Sequence, residues 1–499
     1  MRRFRRSKSM ARWRALLLLG GAALCLGACS LVSVDVRPNA RTVEAGDTAA
    51  FEVFLNRRQG FLDPVQLDPS PAGTPQYSAT IQPDPATGNV ADLLVEVAPD
   101  APIGVHEIDV ISTPATPPPF IGAPRNRAVV IVGPCGAEWI LQFGGADGDA
   151  AWSTRVDANG DIYAATFSGS DYYVLRFEND GVLRWADPIE PGHPAHLDVD
   201  RQGRLVVAAR TVYDGKLGYM IRRYLPGGFP EWTVRFGDDP RAQAVTDLAT
   251  DAAGNVYVVG TTQGDLFGLN PDRSFTNWEG WIAAYDSAGN PLWQSQAEHF
   301  GHDSYENVAA DDAGGVYVRG TRGLNTAFVR KFDAASGAIL GSDDIAAGEA
   351  YRQGALALDS TGDVLVAFHR GTGSPPQPDP VLIKYDASLT RLWSEPLAPH
   401  GLDVPLDMAV DSSDAPILAG SRIVTATASD AAVVKLGDDG RPQWSLLIDA
   451  PFHTSAIGID LDAAGDMYIA GDTDGGFGAV NRGYTDAWLG RIRQGGCKL

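Results

Sequence analysis

This chain has little cysteine, little positive charge, few long apolar runs and none of the common catalytic signatures. Its 499 residues include four cysteines, Cys25, Cys29, Cys135 and Cys497. Lysine and arginine number 40 against 62 aspartates and glutamates, a formal charge of −22. That balance argues against nucleic acid as a partner and against electrostatic docking on an anionic membrane. A spanning helix needs about 20 apolar residues in a row. The longest such stretch, Ala15 to Ala28, is too short. Nucleophile elbows, phosphate loops, paired zinc motifs and Asp boxes are missing, so no reaction class is announced by motif and no cofactor is expected.

What the chain does have is repetition. A turn of the form Asp-x-x-Gly followed by a Tyr/Val-rich run begins at Asp157, Asp200, Asp251, Asp311, Asp359, Asp411 and Asp462, with Asp414 in the glycine place of the copy at Asp411. In the third copy Asp251-Ala252-Ala253-Gly254-Asn255 is the turn and Val256-Tyr257-Val258-Val259-Gly260 the strand. Aspartate bonds its own backbone nearby, glycine accepts positive φ, and Val and Tyr suit a half-buried pleated surface. A further apolar run follows, as in Trp281-Ile282-Ala283-Ala284-Tyr285, then Gly289-Asn290-Pro291-Leu292-Trp293. Four short strands per copy, at intervals of about fifty residues, predict an all-β propeller of seven blades.

The fourth strand carries Trp185, Trp232, Trp293, Trp393 and Trp444, with Leu340 read as its counterpart in copy four. The seventh copy stops at Ala487-Trp488-Leu489-Gly490-Arg491-Ile492, without a fourth strand. A matching segment, Ala137-Glu138-Trp139-Ile140-Leu141-Gln142-Phe143, precedes copy one. Pairing of this first strand with the last blade would close the ring and remove exposed edges. Cys135 and Cys497 flank that junction and are expected to form a disulfide in an exported protein.

The tandem unit resembles the bacterial β-propeller repeat family, whose members read Asp-x-x-Gly-Asn-Val-Tyr-Val-x-Gly and then Lys-Tyr/Phe-Asp-x-x-Gly-x-x-x-Trp. Tyr285-Asp286-Ser287-Ala288-Gly289-Asn290-Pro291-Leu292-Trp293 matches the second part, lacking only the Lys. The resemblance implies the fold and is nearly silent on function. Phe332-Asp333-Ala334-Ala335-Ser336-Gly337 also resembles a quinoprotein-type repeat, but one copy does not imply a quinone cofactor.

Residues 1–28 read as a lipoprotein signal peptide. Arg2, Arg3, Arg5, Arg6, Lys8, Arg12 and Arg14 form a basic start, followed by the short apolar run and Leu26-Gly27-Ala28-Cys29. This is similar to the bacterial lipobox, which implies acylation of Cys29 and membrane attachment through a lipid anchor. Ser30 after it implies outer-membrane retention, on either face.

Residues 29–133 form a separate module. Alternating strands are expected at Val32–Arg37, Thr48–Asn56, Tyr77–Gln82, Ala91–Val97, Val105–Ser112 and Arg127–Val132, with a Pro-rich loop at Thr113–Pro124. The module resembles bacterial immunoglobulin-like β-sandwiches without their core cystine. Residues 134–499 then hold the propeller.

Candidate chemistry is sparse. Several of the loops leading into the blades carry histidine, namely His193, His196, His299, His302, His400 and His453, near Glu298, Asp303, Asp238 and Asp239. Neutral imidazoles at a channel mouth could hold a metal or ligand; the plainer reading is that polar loops tolerate histidine. The repeated Asp turns could be taken for calcium loops but lack the oxygen spacing that calcium needs. The repeated Trp could be a sugar platform, or packing between blades. Trp152, Trp278 and Trp281 fall outside the Trp register, and the insert Asp265–Gly280 is the loop expected to meet a partner. The expected function is a non-catalytic, lipid-anchored binding scaffold for a protein or glycan. A propeller enzyme acting at the channel mouth and a structural part of an envelope assembly complex are the alternatives.

Overall fold

The computed structural model describes residues 32–37, 40–43, 48–57, 65–70, 73–74, 77–83, 89–98, 104–114, 125–132, 137–144, 147–189, 195–237, 242–264, 266–267, 278–297, 303–323, 326–346, 354–369, 371–372, 377–378, 380–425, 428–448, 453–475 and 484–493. The signal region, Cys29, Cys135, Cys497, His193, His299 and His302 lie outside these. So do Glu298, Asp238, Asp239 and most of the insert after Asp265. Apart from one turn of 3₁₀ helix at Ala398–His400, the described elements are all strands.

The N-terminal module has two sheets. One runs Val32–Arg37, Thr48–Arg57, Val90–Val97, Tyr77–Gln82 and Gly73–Thr74; the other Ala40–Val43, Arg125–Val132, Gly104–Pro114 and Val65–Ser70. Tyr77, Ala79 and Ile81 point inward while their neighbours are exposed, the period-two pattern of a half-buried strand. Phe51, Val53, Leu93 and Val95 from the first sheet share one core with Val65, Leu67, Ile108 and Val110 from the second. All six expected strands are present. Three more were not legible. Ala40–Val43 is too short to show a period, and it pairs parallel to Arg125–Val132. Val65–Ser70 is interrupted by Pro69, and Gly73–Thr74 is a two-residue strand.

Seven four-stranded antiparallel sheets follow. Their first strands are Asp149–Val156, His196–Val199, Ala242–Thr250, Ser304–Ala310, Gly354–Leu358, Val404–Val410 and Thr454–Leu461, numbered here as sheets one to seven. Each first strand lies against the first strand of the next sheet, and that of sheet seven lies against that of sheet one. Ala137–Phe143 pairs antiparallel with Asp486–Ile492 as the fourth strand of sheet seven. Second strands are buried along most of their length because each sheet is packed on both faces, and Val256–Thr262 is buried along its whole length.

The repeat residues now have physical roles. One oxygen of every repeat aspartate accepts the N–H groups two and four residues on, as Asp251 does from Ala253 and Asn255, both at 2.9 Å. The second oxygen takes Tyr257, Tyr317 and Tyr468 hydroxyls in sheets three, four and seven, and Lys384 and Lys435 in sheets five and six. These carboxylates are therefore turn caps whose lone pairs are already engaged. Five of the six fourth-strand Trp lie over the glycine of the last turn in the following sheet: Trp139 over Gly181, Trp185 over Gly228, Trp232 over Gly289, Trp293 over Gly337 and Trp393 over Gly440. The indole N–H of Trp139, Trp293 and Trp393 donates to a carbonyl of that turn. Trp139 thus does for sheet seven what the other tryptophans do for their own sheets.

Copy four corrects the sequence reading. Strand pairing sets Gly341, not Leu340, opposite Lys331, the position where Trp393 faces Lys384 and Trp444 faces Lys435. The turn Asp333–Ala338 holds one more residue than its counterparts and so shifts the register. In sheet five the corresponding turn has Leu389 at φ 66° where other copies have glycine. The Leu389 side chain approaches the Gly341 position to within 3.8 Å of where a Cβ would stand. A missing Trp and a missing Gly compensate each other across one interface.

Candidate functional site

Five of the seven first strands carry a β-bulge at the same place. Register shifts fall at Ala151/Ser153, Val245/Asp247, Tyr305/Asn307, Pro405/Asp407 and Ala456/Gly458. The bulged residues are Trp152, Thr246, Glu306, Leu406 and Ile457, each five positions before its repeat aspartate. A bulge re-aims a side chain and is favoured beside functional sites. Here all five line one cavity of about 390 Å³ at the end where the chain enters the first strands. The second-strand glycine of the repeat makes the bulge fit. A Cβ on Gly260, Gly320, Gly420 or Gly471 would stand 2.2, 2.2, 2.0 or 1.9 Å from a first-strand carbonyl oxygen.

One layer deeper, Arg155 is surrounded by Asp198, Asp247, Asp407 and Asp460. Its Nε lies 3.7 Å from Asp198 and its Nη1 3.6 Å from Asp407. Each of these aspartates also joins two sheets. Asp198 accepts the Thr250 N–H, Asp247 that of Val308, Asp407 that of Ile459 and Asp460 that of Val156, at 2.7, 3.0, 3.0 and 2.7 Å. In every case the donor belongs to the next sheet around the ring. Burial pushes all four carboxyls upward, tempered by Arg155; Asp247 reaches about 7 and Asp460 about 6. Burial opposes the Arg155 charge as well, but the carboxylates outweigh it and hold its pKa above the ordinary value. Burial, then Arg155, lowers His196 to about 4, so its imidazole is neutral.

Beside this layer Arg319, almost wholly buried, donates to Glu306 and to Asn307, the latter at 3.2 Å, and lies 5.2 Å over the Phe368 ring. Trp152 stands at the rim, 40% exposed, with Phe167 at 6.2 Å.

The sequence-expected residues divide. His196 lines the cavity, as the first residue of a strand and not in a loop. His400 hydrogen-bonds Glu395 at 3.1 Å. His453 bonds Ser429 Oγ at 2.7 Å, and its raised pKa comes first from its bond to Asp472. Neither His400 nor His453 lines the cavity. Asp303 is buried and accepts the Gly323 N–H. Among the described residues no group of three His, Cys, Asp or Glu is placed to hold a metal ion. Trp281 is core, and Trp152 belongs to the cavity. The aspartates around Arg155 were missed. Their signal was present: an acid two or four residues before the repeat aspartate, inside an otherwise apolar strand.

A β-propeller repeat model matches residues 231–268. These run from the fourth strand of sheet two through the first two strands of sheet three. No curated protein matches the chain. Among solved structures it is similar to Pyrococcus horikoshii acylaminoacyl peptidase (9% identity, 70% of this chain and 52% of that one, TM-score 0.41). It is also similar to the β-propeller domain of the trilobed protease from Pyrococcus furiosus (8%, 69% and 94%, TM-score 0.42) and to a prolyl endopeptidase (12%, 83% and 54%, TM-score 0.40). The chain spans about half the length of the acylaminoacyl peptidase chains that it matches. The repeat match and the ring of four-stranded sheets together support a propeller architecture.

Proposed function

We propose that this protein is a lipid-anchored cell-envelope protein in which an immunoglobulin-like sandwich carries a closed seven-bladed propeller, and that the propeller is a non-catalytic binding scaffold whose ligand enters the bulge-built cavity. Cys29 would be the acylated residue at the outer membrane, and a Cys135–Cys497 bridge would secure the ring junction. The partner is a protein or a glycan. One observation carries the binding reading: five separate strands bulge at one position, and all five bulged residues face one cavity of ordinary ligand size. A ring built only for stability has no need to break its innermost ladder at the same step in five sheets.

The test is a photo-crosslinking residue at position 152, compared with one at exposed Val182 on the opposite end, in native membranes with a Cys29→Ser control. A discrete adduct at position 152 alone supports the reading. Equal adducts at both positions, or none at 152, overturn it. A fatty-acid label on the intact chain that disappears in Cys29→Ser supports the anchor; retention of the label in that variant overturns it.

A further inference from the structure

The donors and acceptors of the mouth cavity are unequally used. Arg155 donates to the Thr154 carbonyl at 2.8 Å and lies among its four aspartates. Arg319 donates to Glu306 and Asn307. The Thr246 hydroxyl donates to the Tyr305 carbonyl at 2.6 Å. The strong donors are therefore already engaged. Acceptors remain. A carboxylate has about four lone-pair sites. Asp247 takes backbone N–H groups from Leu248 and Val308 and the Asn307 amide at 3.5 Å, and Asp407 takes N–H groups from Met408 and Ile459 with Arg155 3.6 Å away, so each retains about one lone-pair site. The neutral imidazole of His196 faces the same cavity, half-buried, and among the described residues it has no hydrogen-bond partner.

Charge points the same way. Four aspartates surround one guanidinium in this layer, and Glu306 is matched by Arg319. Burial without enough positive charge is what holds Asp247 near neutrality. An anion would meet carboxylates and engaged donors. A neutral sugar needs donors as well as acceptors and would find few. A bare metal would find the carboxylates spread over four sheets, each tied to its neighbour's backbone. A cation with several N–H donors and an apolar stem meets the remaining demands: acceptors at its head, Leu406, Met408 and Ile457 along its stem, and the exposed face of Trp152 beside it.

We infer that the cavity takes an alkylammonium group, from a free amine or from the end of a lysine side chain, with Asp247 or Asp407 receiving its N–H donors and Trp152 covering its stem. This rests on the binding reading above and names the chemistry of its ligand.

The experiment is calorimetric titration of the full chain in detergent. The probes are n-butylammonium, an N-acetylated, C-amidated Gly-Gly-Lys-Gly-Gly peptide, n-butanol and N-acetylglucosamine. The expected result is saturable binding of at least one of the two cationic probes, with n-butanol about tenfold weaker or worse. Asp247→Asn with Asp407→Asn should cut that affinity about tenfold or more, a change of about 1.4 kcal/mol. Trp152→Ala, at the rim and without a buried packing role, should weaken it too and serves if the double variant does not fold. A peptide that binds about tenfold tighter than n-butylammonium identifies lysine on a protein as the source; equal affinity identifies a free amine. Saturation by N-acetylglucosamine alone, lost in Trp152→Ala, overturns the ammonium inference and leaves the binding reading standing. Silence from all four probes overturns the inference, and a position-152 crosslinker that also yields no adduct overturns both.

Discussion

At the scale of single residues, the interface between sheets four and five offers a test of compensation. Leu389 sits at φ 66°, which costs a non-glycine residue roughly 1–2 kcal/mol, and its side chain reaches toward the place where Gly341 lacks a Trp. Gly341→Trp alone should destabilise by colliding with Leu389. Leu389→Gly alone relieves the backbone but removes the covering side chain. The pair together restores the arrangement of Trp293 over Gly337 and should recover stability. A double-mutant cycle by urea unfolding should show a favourable coupling of about 1–2 kcal/mol; additive effects would mean that the two positions do not sense each other. The repeat glycines and tryptophans were legible because each occurs several times. The exchange at Leu389 was not, since strand register depends on a turn one residue longer, and turn length changes pairing without changing composition.

At the scale of elements, the first strand is where regular pairing gives way to the site. Gly320→Ala would place a Cβ about 2.2 Å from the Ser304 carbonyl. The bulge at Glu306 must then flatten or the strands separate, at a cost of about 2 kcal/mol or more. Ligand binding should fall together with the melting temperature, whereas a glycine without a role in the bulge would leave binding intact.

The aspartates around Arg155 make a pH prediction with an unusual sign. Asp247 has a folded pKa of about 7, above its ordinary value of 3.8. Between those values the folded state holds a proton that the unfolded chain has lost. Its contribution to stability is therefore greatest at low pH, declines as pH rises from about 4 to 7, and is flat beyond. Asp460, at about 6, acts the same way over a narrower range. Asp247→Asn keeps an acceptor for the Val308 N–H and removes the buried charge. The variant should raise the urea midpoint at pH 8, change it little at pH 5, and flatten the slope between. An equal loss at both pH values would show that the carboxyl group is needed for packing whatever its charge.

At the scale of the whole molecule, Ala137–Phe143 from the start of the repeat region pairs with Asp486–Ile492 in sheet seven, and the proposed closure of the ring rests on that pairing. Trp139 stands over Gly181 and bonds the Asn179 carbonyl at 3.0 Å, as Trp293 bonds that of Ala334 at 2.8 Å. Trp139→Ala should cost about as much as Trp293→Ala, in the range of 3–5 kcal/mol known for buried aromatic truncation. Both changes should lower a single cooperative transition in thermal unfolding. A near-neutral Trp139→Ala would show that Ala137–Phe143 decorates sheet seven without securing it.

Local sequence determined the elements. The Asp-x-x-Gly turns, the Val/Tyr strands, the fourth-strand Trp and the alternation of the N-terminal strands follow from interactions within a few residues, repeated often enough to be read. Only the tertiary structure decided the site. Arg155 and Asp460 are neighbours because the first strands of sheets one and seven lie side by side, although about three hundred residues of chain separate them. Four of the five bulges arise where a first strand meets a second-strand glycine, and the aspartates matter because each accepts an N–H from the next sheet around. Those contacts are made between sheets, and a linear pattern records which residues a strand holds but not which strand it will face.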